Sequence, residues 1–334
     1  MRLLVFSSPS GPRTGVLTDE GVLDVTELLG FDEPVRDVQD LIARANPVLD
    51  RIGERLAAAP GVRPVPLSDL SLLPPVLQPP SVRDHIGYEE HATRNHTRKI
   101  ADVWYRRPVH YYSNPSRLVG TGAPVAIPAT ERLDYELEIA AVIGTEGRDI
   151  PAADALRYVF GFTILNDWSA RDLQADEMAY GLGPAKGKDF ATSLGPWVVT
   201  TDELLPRLTD GRLDARCQVR VNGETWADSN AKGHEHSWGA MIEHITQDSR
   251  VLPGDVIAAG TVGRCSIGEA LRLGLPAHYL VPGDRVELEV DGIGTLVNTI
   301  AANPRSGPAR YQAAELPPMP APPDNTPATA GKPA

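Results

Sequence analysis

LDYELEIAAVIG, residues 133–144, is the stretch on which the reading of this chain turns. Side chains of a strand alternate, so Glu136, Glu138, Ala140 and Val142 fall on one face, and Leu137, Ile139, Ala141 and Ile143 on the other. Two carboxylates one pleat apart, about 7 Å, repel weakly in water and more strongly in a sheltered pocket. A hard divalent cation turns that repulsion into attraction. Taken alone, the pair reads first as a solvated strand face. Other acidic residues along the chain change the balance.

The segment YVFGFTILNDWSARDLQ reads as a buried strand from Tyr158 to Leu165, ending at Asn166–Asp167, with a helix from Trp168 onward. Asp167 there is either the N-cap of that helix or a ligand collected at the rim of a sheet. Asp84 opens DHIGYEEHATRNH, and His91 follows seven residues later. A continuous helix would put both on one face, about 10 Å apart along the axis, although Gly87 interrupts the pattern. Four carboxylates without a Cys/His cluster suit Mg²⁺, Mn²⁺ or Ca²⁺ rather than zinc, Mg²⁺ first. The two cysteines, Cys217 and Cys265, are too few and too far apart for a zinc site or a disulfide framework.

Four separated motifs resemble those of the fumarylacetoacetase (fumarylacetoacetate hydrolase) family. They are NDWSARDLQ with LGPAKGKDFATSLGPWVV, the strand DYELEIAAVIG, the D-x6-HA run from Asp84 to Ala92, and VLPGDVIAAGTVG. Together they span roughly residues 80–300. The resemblance implies that Asp84, Glu136, Glu138 and Asp167 hold a divalent metal, with Lys188 and Thr192 beside it. It implies that His91 activates water with Glu269 as its partner, and that Arg171, Gln174, Tyr111 and Thr261 contact substrate. Lys188 would also hold an oxyanion formed on the substrate. The implied chemistry is metal-dependent hydrolysis of a C–C bond in a 1,3-diketo or acylpyruvate-type acid through a metal-held enolate. Decarboxylation, isomerisation or dehydration of a 2-oxo acid on the same scaffold is the alternative, and a non-catalytic metal-binding module the remoter one.

Ile86 and Met178 stand where the family's name-giving enzyme has tyrosines, and Asn114 where many members have lysine, so the substrate pocket is expected to differ. The implied fold is α+β and strand-rich, a mixed β-roll or sandwich, and the implied assembly a homodimer. Residue patterning alone reaches only a strand-rich mixture of α and β.

Residues 1–75 are expected to form a small N-terminal α+β domain, with strands at Leu3–Phe6, Gly15–Thr18 and Val22–Val25. A helical stretch follows over 35–59, interrupted at Pro47. Its apolar positions Val38, Leu41, Ile42, Ala45, Val48, Leu49 and Ile52 recur at helical spacing. LLPPVLQPP, residues 72–80, reads as an extended connector. Residues 76–302 are the catalytic domain, with PGD turns at 253–255 and 282–284 and a helix from Trp238 to Thr246. Residues 303–334 read as a Pro/Ala-rich disordered tail.

A net charge of −12 argues against nucleic-acid or anionic-membrane partners. The partner expected is instead a small 2-oxo or diketo acid, attracted at short range by metal, Lys and Arg. The first fifteen residues contain too short an apolar run for a signal peptide, and the expected location is cytoplasmic.

Overall fold

The computed structural model describes residues 1–44, 47–58 and 61–303. Strand Glu136–Ile143 lies near the centre of a mixed sheet of eleven strands among the described residues. Along that sheet the order is Gly21–Asp24, Gly11–Thr18, Arg2–Ser8, Thr192–Thr200, Val159–Asn166, Glu136–Ile143, Val256–Ser266, Val82–His85 and His110–Ser113. Its pairings are mainly antiparallel, but Val82–His85 runs parallel to Val256–Ser266. The N-terminal strand Arg2–Ser8 is hydrogen-bonded into this sheet, with Arg2 opposite Val199. A second sheet orders Glu224–Asn230, Arg216–Val221, Arg285–Val290, Gly294–Ala301 and Pro124–Ala126.

The two faces of Glu136–Ile143 enter different cores. Leu137, Ile139, Ala141 and Ile143 pack in one cluster with Val219, Leu288 and Leu296 of the second sheet. Ala140 and Val142 pack in another with Leu28, Leu41 and Ile52, which lie on helices Val25–Leu29, Val38–Arg44 and Val48–Ala57. Fully burying one such leucine or isoleucine stabilises the fold by about 1.5–3 kcal/mol. Glu138 and Glu136 continue the face of Ala140 and Val142 toward the start of the strand.

Strand Glu136–Ile143 slips register against Val256–Ser266 on either side of Glu138. Such bulges bend and twist a sheet. Gly260, at φ +94°, lies within the irregular stretch, and a Cβ there would come within 2.4 Å of the His85 carbonyl oxygen. Only glycine lets the strand pass this close to the turn that leads to His91.

Several local expectations are corrected. Asp84 is not on a helix with His91: it lies in strand Val82–His85, and His91 in the one-turn helix Glu89–Ala92. The helix expected from Trp168 begins at Arg171, because Ser169 and Ala170 first pair with Asp134 and Leu133. Asp167 is therefore not its N-cap. The third strand ends at Asp24, whose carboxylate caps the helix that already includes Val25. The expected 35–59 helix is two, Val38–Arg44 and Val48–Ala57, with Pro47 as the second N-cap. Ala45 and Ala59 lie outside the described residues, as does the expected tail from residue 304 on. Each PGD aspartate closes its own turn, Asp255 accepting from Leu252 N and Asp284 from Val281 N, both at 2.8 Å.

Candidate metal centre and active site

Three strands deliver three carboxylates to one point. Asp84 sits between Ala258 and Tyr111 in register, Glu138 lies opposite Thr261 and Leu165, and Asp167 follows the last residue of Val159–Asn166. All three are buried, and one oxygen from each lies within 4.8 Å of the others. Asp84 Oδ1, Glu138 Oε2 and Asp167 Oδ1 have no hydrogen-bond partner. A buried unpaired carboxylate oxygen is costly, and three converging ones form a hard-oxygen donor set that fits a divalent cation. Burial first, and then Asp167, pushes the Asp84 carboxyl well above its ordinary range. Glu138 is pushed up in the same way by burial and by Asp84. Asp167 also ends above its ordinary value, because burial outweighs the neighbouring Lys188.

Glu136 makes different contacts in this geometry. Its Oε2 accepts from Lys188 Nζ at 2.5 Å, and its Oε1 from Arg171 Nη2 at 2.6 Å. Burial works against charge here, but Arg171, Lys188 and His91 override it and hold the carboxyl well below its usual range. The resemblance groups Glu136 with the metal ligands, whereas here its oxygens face cations and it stands outside the close trio.

Lys188 is buried and also contacts Asp167. Burial disfavours its charge, but Asp167 and Glu136 prevail and raise its pKa. Its loop is shaped by Glu177, whose carboxylate accepts from Ala185 N, Lys186 N and Gly187 N at 2.8, 2.5 and 3.1 Å.

His91 Nδ1 lies 3.0 Å from Glu269 Oε2, and Nε2 lies 3.3 Å from Glu136 Oε1. Glu269 is fully buried and is fixed by Ser266 Oγ at 2.8 Å and Arg264 N at 3.0 Å. Burial opposes a charge on His91, yet Glu269 and Glu136 raise its pKa to about 9.

The remaining candidates border this centre. Tyr111 donates its hydroxyl to Asp167 Oδ2 at 2.7 Å, and Thr261 Oγ1 donates to Glu138 Oε1 at 3.2 Å. Arg171 Nη1 donates to Gln174 Oε1 at 3.0 Å. Thr192 is buried, with Oγ1 3.4 Å from Ser113 Oγ. Ile86 and Met178 are exposed, outside the buried cluster. Asn114 holds the Lys188 loop through the Asp189 carbonyl at 3.1 Å.

Reading the sequence missed Asp134, Glu177 and Ser266. Asp134 had a signal: it extends the alternation to D-x-E-x-E on one strand face. Ser266 also had one, since S-x-x-E over 266–269 is capping-box spacing, whereas Glu177 acts on backbone N–H groups of a loop and no spacing announces it.

Comparison with known proteins identifies the family. Residues 81–301 match the family described as Fumarylacetoacetate (FAA) hydrolase C-terminal. Mycobacterium tuberculosis protein Rv2993c is 33% identical over 236 residues, 70% of this chain and 80% of that protein. A solved fumarylacetoacetate hydrolase from Exiguobacterium antarcticum is 29% identical with a TM-score of 0.71, covering 91% of this chain and 100% of that one. The 5-carboxymethyl-2-hydroxymuconate delta-isomerase from Mycobacterium smegmatis is 27% identical with a TM-score of 0.64, over 91% and 100% of the two chains. The family match covers well over half of the chain, and the chain belongs to the fumarylacetoacetate hydrolase family.

Proposed function

We propose that this protein is a divalent-cation-dependent hydrolase that cleaves a C–C bond in a 1,3-diketo or acylpyruvate-type acid. The observation that carries this reading is three unpaired buried carboxylate oxygens placed beside a buried lysine and a His–Glu pair. Asp84, Glu138 and Asp167 would hold the cation, Mg²⁺ first and Mn²⁺ or Ca²⁺ next, with Glu136 and Thr192 as neighbours. When bound, the cation supplies Lewis-acid polarisation of a chelating oxo acid.

The chain's own groups do the rest. His91 takes a proton from water at Nε2 while Glu269 holds Nδ1–H and steadies the imidazolium. The water oxygen adds to the ketone carbon. The adjacent C–C bond then breaks, its electron pair leaving on an enolate, and the proton held by His91 passes to the enolate carbon, giving an acid and a shorter oxo acid or ketone and restoring the neutral imidazole. Lys188 donates hydrogen bonds to the developing oxyanion. Arg171, Gln174, Tyr111 and Thr261 orient the substrate. Without a bound cation Glu269 and Glu136 raise the His91 pKa to about 9, so the neutral imidazole that takes the proton requires that negative charge to be compensated. Compensating the charge of Glu136 lowers that value, because Glu136 is one of the two carboxylates holding the proton on.

An isomerase is the second reading, favoured by the 27% identical isomerase structure. It would use the carboxylates and Lys188 but would consume no water. The test is a panel of acylpyruvates, fumarylpyruvate, oxaloacetate and ketodeoxy acids with Mg²⁺, Mn²⁺ or EDTA, with products identified. Hydrolysis yields two fragments, is abolished by EDTA, and drops at least about 10²-fold in His91→Ala. Turnover that ignores EDTA would sink the proposal, and a product of unchanged mass would replace it with isomerisation. The homodimer and the cytoplasmic location belong to the same proposal. Light scattering tests the first and fractionation the second. No helix among the described residues is long and apolar enough to cross a membrane.

A further inference from the structure

Asp134 is fully buried and makes two separate anchorages. Its Oδ1 accepts from Ile267 N at 2.6 Å and its Oδ2 from Gly268 N at 3.0 Å, which are the first two N–H groups of helix Ile267–Arg272. Those donors have no partner within the helix, so the carboxylate satisfies them and pins the element that carries Glu269. On its other side Oδ2 accepts from Arg171 Nε at 2.8 Å and lies 2.7 Å from Nη2. The same Nη2 donates to Glu136 Oε1, the atom that faces His91 Nε2.

The contacts close a circuit. From Asp134 one path runs through the helix to Glu269 and His91 Nδ1, and the other through Arg171 and Glu136 to His91 Nε2. A single carboxylate therefore sets the position of the partner on each side of the imidazole. Two-point support of this kind restricts translation and rotation of the ring together, which one partner alone does not do. Misplacement of a reacting group by about 1 Å typically lowers a rate about 10²-fold.

We propose that Asp134 is a positioning residue that orients His91 for proton transfer through these two anchors; this rests on the reading of His91 as the base. Asp134→Asn keeps an oxygen for Ile267 N but replaces the oxygen shared by Gly268 N and Arg171 with an amide donor. Asp134→Ser, which also retains an acceptor, serves in its place if the Asn variant does not fold. The expected result, on whichever substrate the wild type turns over, is a fall in kcat of about 10²-fold with calorimetric Mg²⁺ affinity within about threefold. In a His91→Ala background the same substitution should change kcat by less than about threefold, because its effect passes through the histidine.

Crystal structures supply a readout independent of activity. In the variant, the His91 contact to Glu269 or to Glu136 should open beyond hydrogen-bond distance. An undiminished loss of kcat in the His91→Ala background overturns the proposal, and so does a variant structure with both contacts unchanged. If the wild type turns over nothing in the substrate panel, the proposed hydrolase activity falls, and the crystal structures alone decide the role of Asp134.

Discussion

Lys188 sits between Glu136 and Asp167, so its ammonium both neutralises the carboxylate cluster and is poised for an oxyanion. The two roles predict different outcomes for Lys188→Met. Turnover should fall about 10²–10³-fold, the size found when one oxyanion donor is lost, while Mg²⁺ affinity stays the same or tightens as a competing charge disappears. Steady-state kinetics paired with calorimetry checks this, and an affinity loss as large as the rate loss would refute it.

His234 gives a second residue-scale prediction, away from the carboxylates. Its ring packs edge-on against Tyr88 and Trp238, and burial, only partly offset by the His236 carbonyl, lowers its pKa to about 4. The folded value lies below the unfolded one, about 6.5. The stability contribution is therefore complete above pH 6.5 and is lost as pH falls through about 4, on the order of 3 kcal/mol in all. Asp84 and Glu138 act in the opposite direction in metal-free protein, because raised carboxyl pKa values favour the fold on acidification. Thermal melts of wild type and His234→Gln from about pH 7.5 to 4.5 separate the two effects. The advantage of wild type should shrink as the pH falls, and a constant gap would contradict the prediction.

Elements set which of these residues meet. The strand face of Glu136, Glu138, Ala140 and Val142 was legible from alternation, because the pleat leaves no other arrangement. The position of Asp84 was not. Seven residues to His91 fit a helix as well as a strand and turn, and pairing with Val256–Ser266 and His110–Ser113 settles the choice. Local sequence likewise favours a helix at Trp168, but its ring is buried and donates to Ser193 Oγ at 2.8 Å while the next two residues pair with Leu133–Asp134. Local propensity yields in both places to partners distant in sequence.

Gly260 is the point at which this element geometry is most vulnerable. Gly260→Ala places a methyl 2.4 Å from the His85 carbonyl oxygen at positive φ, whereas Gly122, at φ +80°, has nothing within 4 Å of an added Cβ. The first substitution should lower stability by about 1–3 kcal/mol more than Gly122→Ala and reduce activity, since Thr261 and the turn toward His91 shift together. Denaturant unfolding of both variants checks this, and equal losses would rule out close backbone approach as the reason for the glycine.

On the scale of the whole molecule, the buried trio makes stability depend on charge compensation. Mg²⁺ at a hundred times its Kd should stabilise the fold by about 2.7 kcal/mol, read as a rise in Tm that EDTA reverses. Glu138→Gln should abolish most of that rise while leaving metal-free protein as stable or more so, because it removes a buried carboxyl that burial and Asp84 already push toward neutrality. A Glu138→Gln protein that melts lower without metal and still responds fully to Mg²⁺ would contradict the role of the trio.

The amino-acid order by itself determined the alternating strand, the PGD turns and the Trp238–Thr246 helix, since each follows from forces between near neighbours. It also carried the family motifs with their acidic, lysine and histidine positions. Tertiary structure alone decided that three carboxylates leave unpaired oxygens facing one another, that Glu136 turns to Lys188 and Arg171, and that Asp134 ties Arg171 to the helix of Glu269. These arrangements join residues up to 134 positions apart, as Asp134 and Gly268 are. Sheet pairing, bulges and burial set their distances, and none of those is encoded in local spacing.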